Sequence, residues 1–339
     1  MNDTDARYTR FALCREMMDT VDVIDRFDPA RYVEAAEAVA DVGRLFLTGE
    51  GSSRIFPAKN AVRKAMTWGA GLHVATEGSR QAATYDLSKF AVFGASNSGR
   101  TAEVIAVLER LADAGNPNRF GLTANEGTLL ESHAATTFVL KCGWEQAVAA
   151  TKSVAEQALV YQAIVSHVAG RDMTGQLDGA ADKVRAALTE TVDPRIVQTI
   201  AKAPTVYFAG YNDGVAEELT LKTNEICRKK SDFLEGTYAV HGIEEVMDAD
   251  DVVIVVDPFE EESGKFQKVL VEGVGLTVVA ISTVDTPFAT IRVPDAGEMN
   301  PYVFLAAGWN LLVEIGLSLE VDLDKAERAR KVGNEFVPS

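Results

Sequence analysis

Phe90-Ala91-Val92-Phe93-Gly94-Ala95-Ser96-Asn97-Ser98-Gly99-Arg100-Thr101 is the stretch that decides the fold of this 339-residue chain. Its first half is a short apolar run of the kind that forms a strand buried on both faces. Its second half is a polar turn into a helix expected from Ala102 to Ala114. Three hydroxyls, an amide and free backbone N–H groups at a helix N-terminus suit a bound anion. A related stretch recurs downstream, where the strand Val252–Val256 precedes Glu260-Glu261-Glu262-Ser263-Gly264-Lys265. Aligning Gly99 with Gly264 gives an offset of 165 residues, and Gly49 with Gly210 gives 161. The repeat thus spans more than one loop, but the second copy puts three carboxylates in the same place and would repel an anion.

Working outward, the first half shows strands at Arg44–Thr48, His73–Thr76, Phe90–Ala95, Arg119–Thr123 and Thr136–Leu140. Helices are expected between them, and a long one from about Gln146 to Val168. Asp28-Pro29 reads as an N-cap followed by proline at the first helical position, opening a helix over Ala30–Val42. The second half repeats the pattern with strands at Thr205–Ala209, Val252–Val256 and Leu276–Ser282, a helix over Val215–Lys229 and another over Phe266–Glu272. This alternation predicts an α/β fold with two tandem doubly wound parallel sheets, helices on both faces, and ligands beyond the carboxyl ends of the strands. The boundaries read as an N-terminal helical region over 1–29, a first domain over 30–170, a second over 171–325 and a C-terminal tail over 326–339. Gly170–Thr189, polar and weakly patterned, reads as the connection between the domains.

The formal net charge of −17 with no basic block argues against nucleic-acid binding, which needs clustered Lys and Arg. Cys14, Cys142 and Cys227 are odd in number and lack metal-ligand spacing, which fits reduced thiols. The N-terminus does not resemble a signal peptide. The apolar stretch Tyr302–Leu319 is interrupted by Asn310 and Glu314, so it reads as a buried helix and not a membrane span. A cytoplasmic location is expected.

Within the anion loop, Ser96, Ser98 and Thr101 can donate hydroxyls, and Ser52 on the neighbouring glycine turn can close the cup. The plainer alternative is that such residues only cap a helix. In the second half, Glu218, Lys222 and Glu225 are spaced i, i+4 and i+7 on one helix face. On spacing alone a surface ion-pair ladder, worth roughly 0.2–0.5 kcal/mol per pair, explains them better than catalysis does. His241 lies in a glycine-flanked loop, where a histidine is ordinarily just exposed. Lys152 fits a catalytic or an exposed position equally.

Together these motifs resemble those of the sugar isomerase (SIS) family, which would make the fold two tandem flavodoxin-like, three-layer SIS domains. The resemblance, from about Ala30 to Asp324, is to the isomerase half of glucosamine-6-phosphate synthase and to stand-alone phosphosugar isomerases and deglycases. Its most specific motif is S-x-S-G-x-T at Ser96–Thr101. The resemblance implies that Ser52, Ser96, Asn97, Ser98 and Thr101 hold the sugar's terminal phosphate and that Val148, in Glu145–Lys152, gives backbone contacts. It also implies Glu225 as the enolising base with Lys222 beside it, from the E-x-x-x-K-x-x-E pattern at Glu218–Glu225. His241-Gly242 matches the pair whose imidazole opens the sugar ring, often from a partner subunit. Three departures stand out. Ala150 replaces a serine that contacts the sugar, Arg100 with Arg54 adds guanidinium groups near the loop, and no glutaminase region precedes Ala30.

The implied activity is aldose–ketose isomerisation of a hexose with a terminal anionic group, phosphate or sulfonate, through a cis-enediol. A fructosamine-6-phosphate deglycase and a non-catalytic sugar-phosphate sensor are the alternatives. No metal or other cofactor is implied. A homodimer with shared sites is expected, with neither nucleic acid nor membrane as partner.

Overall fold

A computed structural model describes residues 1–328 and Glu335, so most of the C-terminal tail lies outside the described residues. The chain divides into two compact units. The first-half unit comprises Asp22–Glu145 and Ala150–Asp178, with the described residues Arg328 and Glu335. Its strands are β1 (Arg44–Gly49), β2 (His73–Gly78), β3 (Ala91–Ala95), β4 (Arg119–Thr123) and β5 (Thr136–Val139). All pair in parallel, in the order β2-β1-β3-β4-β5.

Both faces of this sheet are covered, which is why β3 reads as a continuous apolar run. Val92 packs with Phe46 against Val104, Val107, Leu108 and Leu111 of the helix Ala102–Asp113. Phe93, one residue on and therefore on the other face, stacks on Phe120 at 4.6 Å and meets Tyr161 edge-on at 5.7 Å. Tyr161 belongs to the long helix Lys152–Val168.

The second-half unit comprises Met1–Val21, Gln146–Ala149 and Gly179–Glu327. Its strands are β6 (Thr205–Gly210), β7 (Lys230–Glu235), β8 (Val252–Val256), β9 (Thr277–Ser282) and β10 (Ala289–Arg292). They are again all parallel, in the order β7-β6-β8-β9-β10. Both sheets therefore share one topology, with the reversal of strand order at β1/β3 and at β6/β8. Crevices at such reversals are where open parallel sheets bind ligands.

The junction between the two units falls at 178/179, inside the segment expected to connect the domains, and that segment holds two helices, Met173–Leu177 and Ala180–Thr189, the second burying Val184, Ala187 and Leu188. Residues Met1–Val21 group with the second-half unit instead of standing apart as an N-terminal region. The chemistry is visible. The Met1 ammonium donates to Asn310 Oδ1 at 2.6 Å, the Tyr8 hydroxyl donates to Glu314 at 2.6 Å, and the Asp324 carboxylate accepts the N–H groups of Ala12 and Leu13. The apolar stretch near the C-terminus forms the helix Asn300–Ser318, and 83% of its most apolar window is buried in the protein, as a core helix requires.

Candidate active site

β1 and β3 lie side by side in register, Gly49 opposite Ala95, so the turns leaving them emerge together at the strand-order reversal. The first turn carries Ser52, buried in a short 3-10 turn over Gly51–Ser53, and half-buried Arg54 at the start of the helix Ile55–Thr67. The second is the loop Ser96–Thr101. Gly99 has φ +65°, and a Cβ there would overlap the Thr128 side chain, so only glycine suits the position. The Ser96 and Thr101 hydroxyls share a hydrogen bond of 2.8 Å. Thr101 consequently gives no side-chain cap to the helix Ala102–Asp113, whose first N–H groups keep their attraction for an anion. Ser98 Oγ accepts the Arg100 N–H at 3.2 Å, leaving its own proton to donate. Arg100 is exposed, and Glu335 pairs with Thr101 in an isolated antiparallel bridge.

Asn97 has a different role from its neighbours. Its amide donates to Glu145 Oε2 at 2.9 Å, and the buried Glu145 carboxylate also accepts the Thr151 N–H at 2.8 Å and the Ser153 hydroxyl at 2.6 Å. Glu145 therefore ties the anion loop to the start of the helix Lys152–Val168. The helix begins at Lys152 and not near Gln146, because residues 141–151 form an irregular loop whose N–H groups are taken by Glu145, Glu156 and Glu16. Val148 lies in that loop, half-buried. Sequence reasoning missed Glu145 as a site residue; its signal was a carboxylate six residues before Thr151 at a helix start. Removing it strands several buried donors at roughly 1–3 kcal/mol each. Glu145→Ala is thus expected to lose about 3 kcal/mol or more in urea unfolding, and Glu145→Gln clearly less.

In the second-half unit, Glu218, Lys222 and Glu225 do meet. Lys222 Nζ lies 3.3 Å from Glu218 Oε1 and 2.7 Å from Glu225 Oε2. Lys222 and Glu218 are fully buried, whereas the Glu225 side chain is 27% exposed. Burial disposes of the surface-ladder alternative. Burial also draws the Lys222 pKa down, but Glu225 and then Glu218 outweigh it and leave the value above that of an ordinary lysine. The expected helix over Val215–Lys229 ends its α-helical part at Lys222, and Glu225 sits in a π-helical turn over Thr223–Cys227. Such turns carry a cost in regularity and recur at functional sites. Arg228 follows at φ +53°, its guanidinium holding the carbonyls of Asp322 and Lys325.

His241 is exposed and directly follows the 3-10 turn Tyr238–Val240, with its Nε2 3.1 Å from Lys265 Nζ. All three cysteines are buried, and burial raises the thiols of Cys14 and Cys227 to about 12, so neither is a nucleophile. Among the described residues no group of His, Cys, Asp and Glu is placed to hold a metal ion.

No protein-family model matches the chain. In sequence it is 26% identical over 330 residues to the glutamine–fructose-6-phosphate aminotransferase (isomerizing) of Aeropyrum pernix, covering 90% of this chain and 53% of that protein. The chain therefore spans about half the length of this curated relative. Among solved structures, the C-terminal domain of glucosamine-fructose-6-phosphate aminotransferase from Francisella tularensis superposes with a TM-score of 0.78 at 18% identity, over 96% of this chain and 99% of that one. Tagatose-6-phosphate ketose/aldose isomerase from Escherichia coli gives 0.76 at 17%, over 95% and 97%. Glucosamine-6-phosphate deaminase from Thermotoga maritima gives 0.73 at 17%, over 96% and 99%. The chain resembles the isomerase half of the aminotransferase in sequence, and it has the fold of the solved sugar-phosphate proteins.

Proposed function

We propose that this protein is an aldose–ketose isomerase acting on a hexose with a terminal phosphate or sulfonate. The observation that carries the reading is the Glu218–Lys222–Glu225 group, in which one partly exposed carboxylate is held 2.7 Å from a buried ammonium. A base that moves a proton between adjacent carbons needs a carboxylate open on one side and fixed on the other. Glu225 meets both needs. In this mechanism His241 protonates the ring oxygen, Glu225 carries the proton between C1 and C2 through a cis-enediol, and the Lys222 charge stabilises the developing enediolate. Ser52, Ser96, Ser98, Thr101 and the helix N-terminus hold the anion, with Arg54, Arg100 and the Val148 backbone around it. Asn97 acts through Glu145. The reading includes a cytoplasmic homodimer with shared sites built from a duplicated SIS unit.

A sensor would use the anion loop but gain nothing from a buried ion group, so the triad favours an enzyme. Incubation with a panel of hexose 6-phosphates and 6-sulfonates, with products followed by NMR, tests the reading. Turnover of none of them would overturn it. Ser98→Ala removes one charge-assisted hydrogen bond, worth roughly 1.5–3 kcal/mol. It should weaken calorimetric binding of the anionic sugar by about 10–100-fold and leave the uncharged parent sugar nearly unchanged. Equal loss for both would reduce Ser98 to a holder of the turn through Arg100.

A further inference from the structure

We propose that Lys265 is a positioning residue for His241, holding its imidazole neutral with the proton on Nδ1 and passing a proton to Nε2 when Nδ1 gives one up. Lys265 lies in the short helix Ser263–Phe266, at the place of Arg100 when Gly264 is aligned with Gly99. This copy carries Glu261 and Glu262 where the first has Ser96 and Asn97, keeps Ser263 at the place of Ser98, and holds one cation that faces the histidine at 3.1 Å. An ammonium has only donors. The contact is a hydrogen bond only if Nε2 presents its lone pair, which puts the ring proton on Nδ1.

A casual surface contact would join two freely moving side chains. Here both are rooted in one core. Ala239 and Val240 immediately before His241, and Phe266 immediately after Lys265, are buried in the same cluster with Met247, Val253, Val255 and Leu270. On the histidine side the chain turns at Gly242, φ +111°, a conformation that a side chain would strain, and the Gly242 N–H donates to Glu244 at 2.6 Å. The imidazole and the ammonium are thus each one residue away from a shared rigid frame.

The consequence for catalysis rests on the ring-opening role proposed above. The Nδ1 proton passes to the ring oxygen as the bond from that oxygen to the anomeric carbon breaks. Lys265 Nζ gives a proton to Nε2, so the ring stays neutral. The anomeric hydroxyl becomes the carbonyl and releases its proton to solvent, and solvent reprotonates Nζ. One proton has in effect moved from the anomeric hydroxyl to the ring oxygen.

The test has two arms. In the full-length protein labelled with ¹⁵N in its histidines, His241 is assigned among the four by its loss in His241→Gln. The imidazole ¹⁵N shifts should report the Nδ1–H tautomer in the wild type and in Lys265→Arg. In Lys265→Met they should report the Nε2–H tautomer that free imidazole side chains favour. A wild-type Nε2–H pattern, or a pattern indifferent to Lys265→Met, overturns the proposal. The second arm compares fructose 6-phosphate with its 5-deoxy analogue, a ketose that cannot close a ring. Lys265→Met should lower kcat on the first by roughly 10–100-fold, part of the ~10²–10⁴ that acid–base catalysis supplies, with KM little changed and with partial rescue by Lys265→Arg. The analogue should be turned over as by the wild type. Equal losses on both sugars overturn the proton-passing role. If the wild type isomerises neither sugar, the functional reading fails for this substrate, and the tautomer alone decides the place of Lys265.

Discussion

Glu225→Gln should slow isomerisation by roughly 10²–10⁴-fold, the usual contribution of a positioned general base, while leaving binding of the anionic sugar largely intact. The amide keeps the size of the carboxylate and an oxygen for Lys222 to donate to, but it cannot take a proton from carbon. In D₂O the wild type should place deuterium at C2 of recovered aldose, because the carboxyl group holding the abstracted proton is partly open to solvent. The variant should lose exchange and turnover together. Loss of turnover with full exchange would move the defect to a later proton delivery, and wild-type exchange would remove Glu225 from the base role altogether.

The contrast between Glu225 and its neighbours shows how far the sequence could be read. Central strands were legible: Arg119–Thr123 and Val252–Val256 match their expected bounds, the second because an unbroken apolar run has few other places to go. The edge strands β7 and β10 were not. Lys230-Ser231-Asp232-Phe233-Leu234-Glu235 is polar except at the adjacent Phe233 and Leu234, and looks like a loop until β6 offers it a partner. The S-x-S-G-x-T loop was visible as a cluster of hydroxyls about a glycine, yet nothing local told Asn97 from its neighbours. Its role depends on Glu145, 48 positions away. Spacing put Glu218, Lys222 and Glu225 on one helix face but could not tell a solvated ladder from a buried group. The π-helical turn that carries Glu225 is set by packing and left no mark in the residue pattern. The contact of Lys265, in the short helix Ser263–Phe266, with His241, 24 residues earlier, was likewise invisible.

The burial of Lys222 leads to the second large effect. Lys222→Met should destabilise the protein by about 3–5 kcal/mol, the usual result of deleting one partner of a buried ion pair. Most of that loss comes from what remains. Glu218 is fully buried and would lose the ammonium 3.3 Å away, leaving its carboxyl group to be held charged in the interior or neutralised, whereas Glu225 can turn toward water. The double change Lys222→Met with Glu218→Gln should therefore recover part of the stability, although it restores no contact of the wild type. The pH dependence has a defined sign. Because the folded-state pKa of Lys222 is raised, its contribution is fully present below the unfolded lysine value of about 10.4 and is lost only as pH climbs through the folded value. The stability gap between wild type and Lys222→Met, measured by urea unfolding, should narrow at strongly alkaline pH as the wild type loses this contribution. A loss under about 1 kcal/mol at neutral pH is what an exposed pair gives, and would contradict a buried ion group. The double variant also separates stability from catalysis. It should fold with much of its stability regained and still isomerise slowly, because the charge that stabilises the enediolate is gone while Glu225 remains.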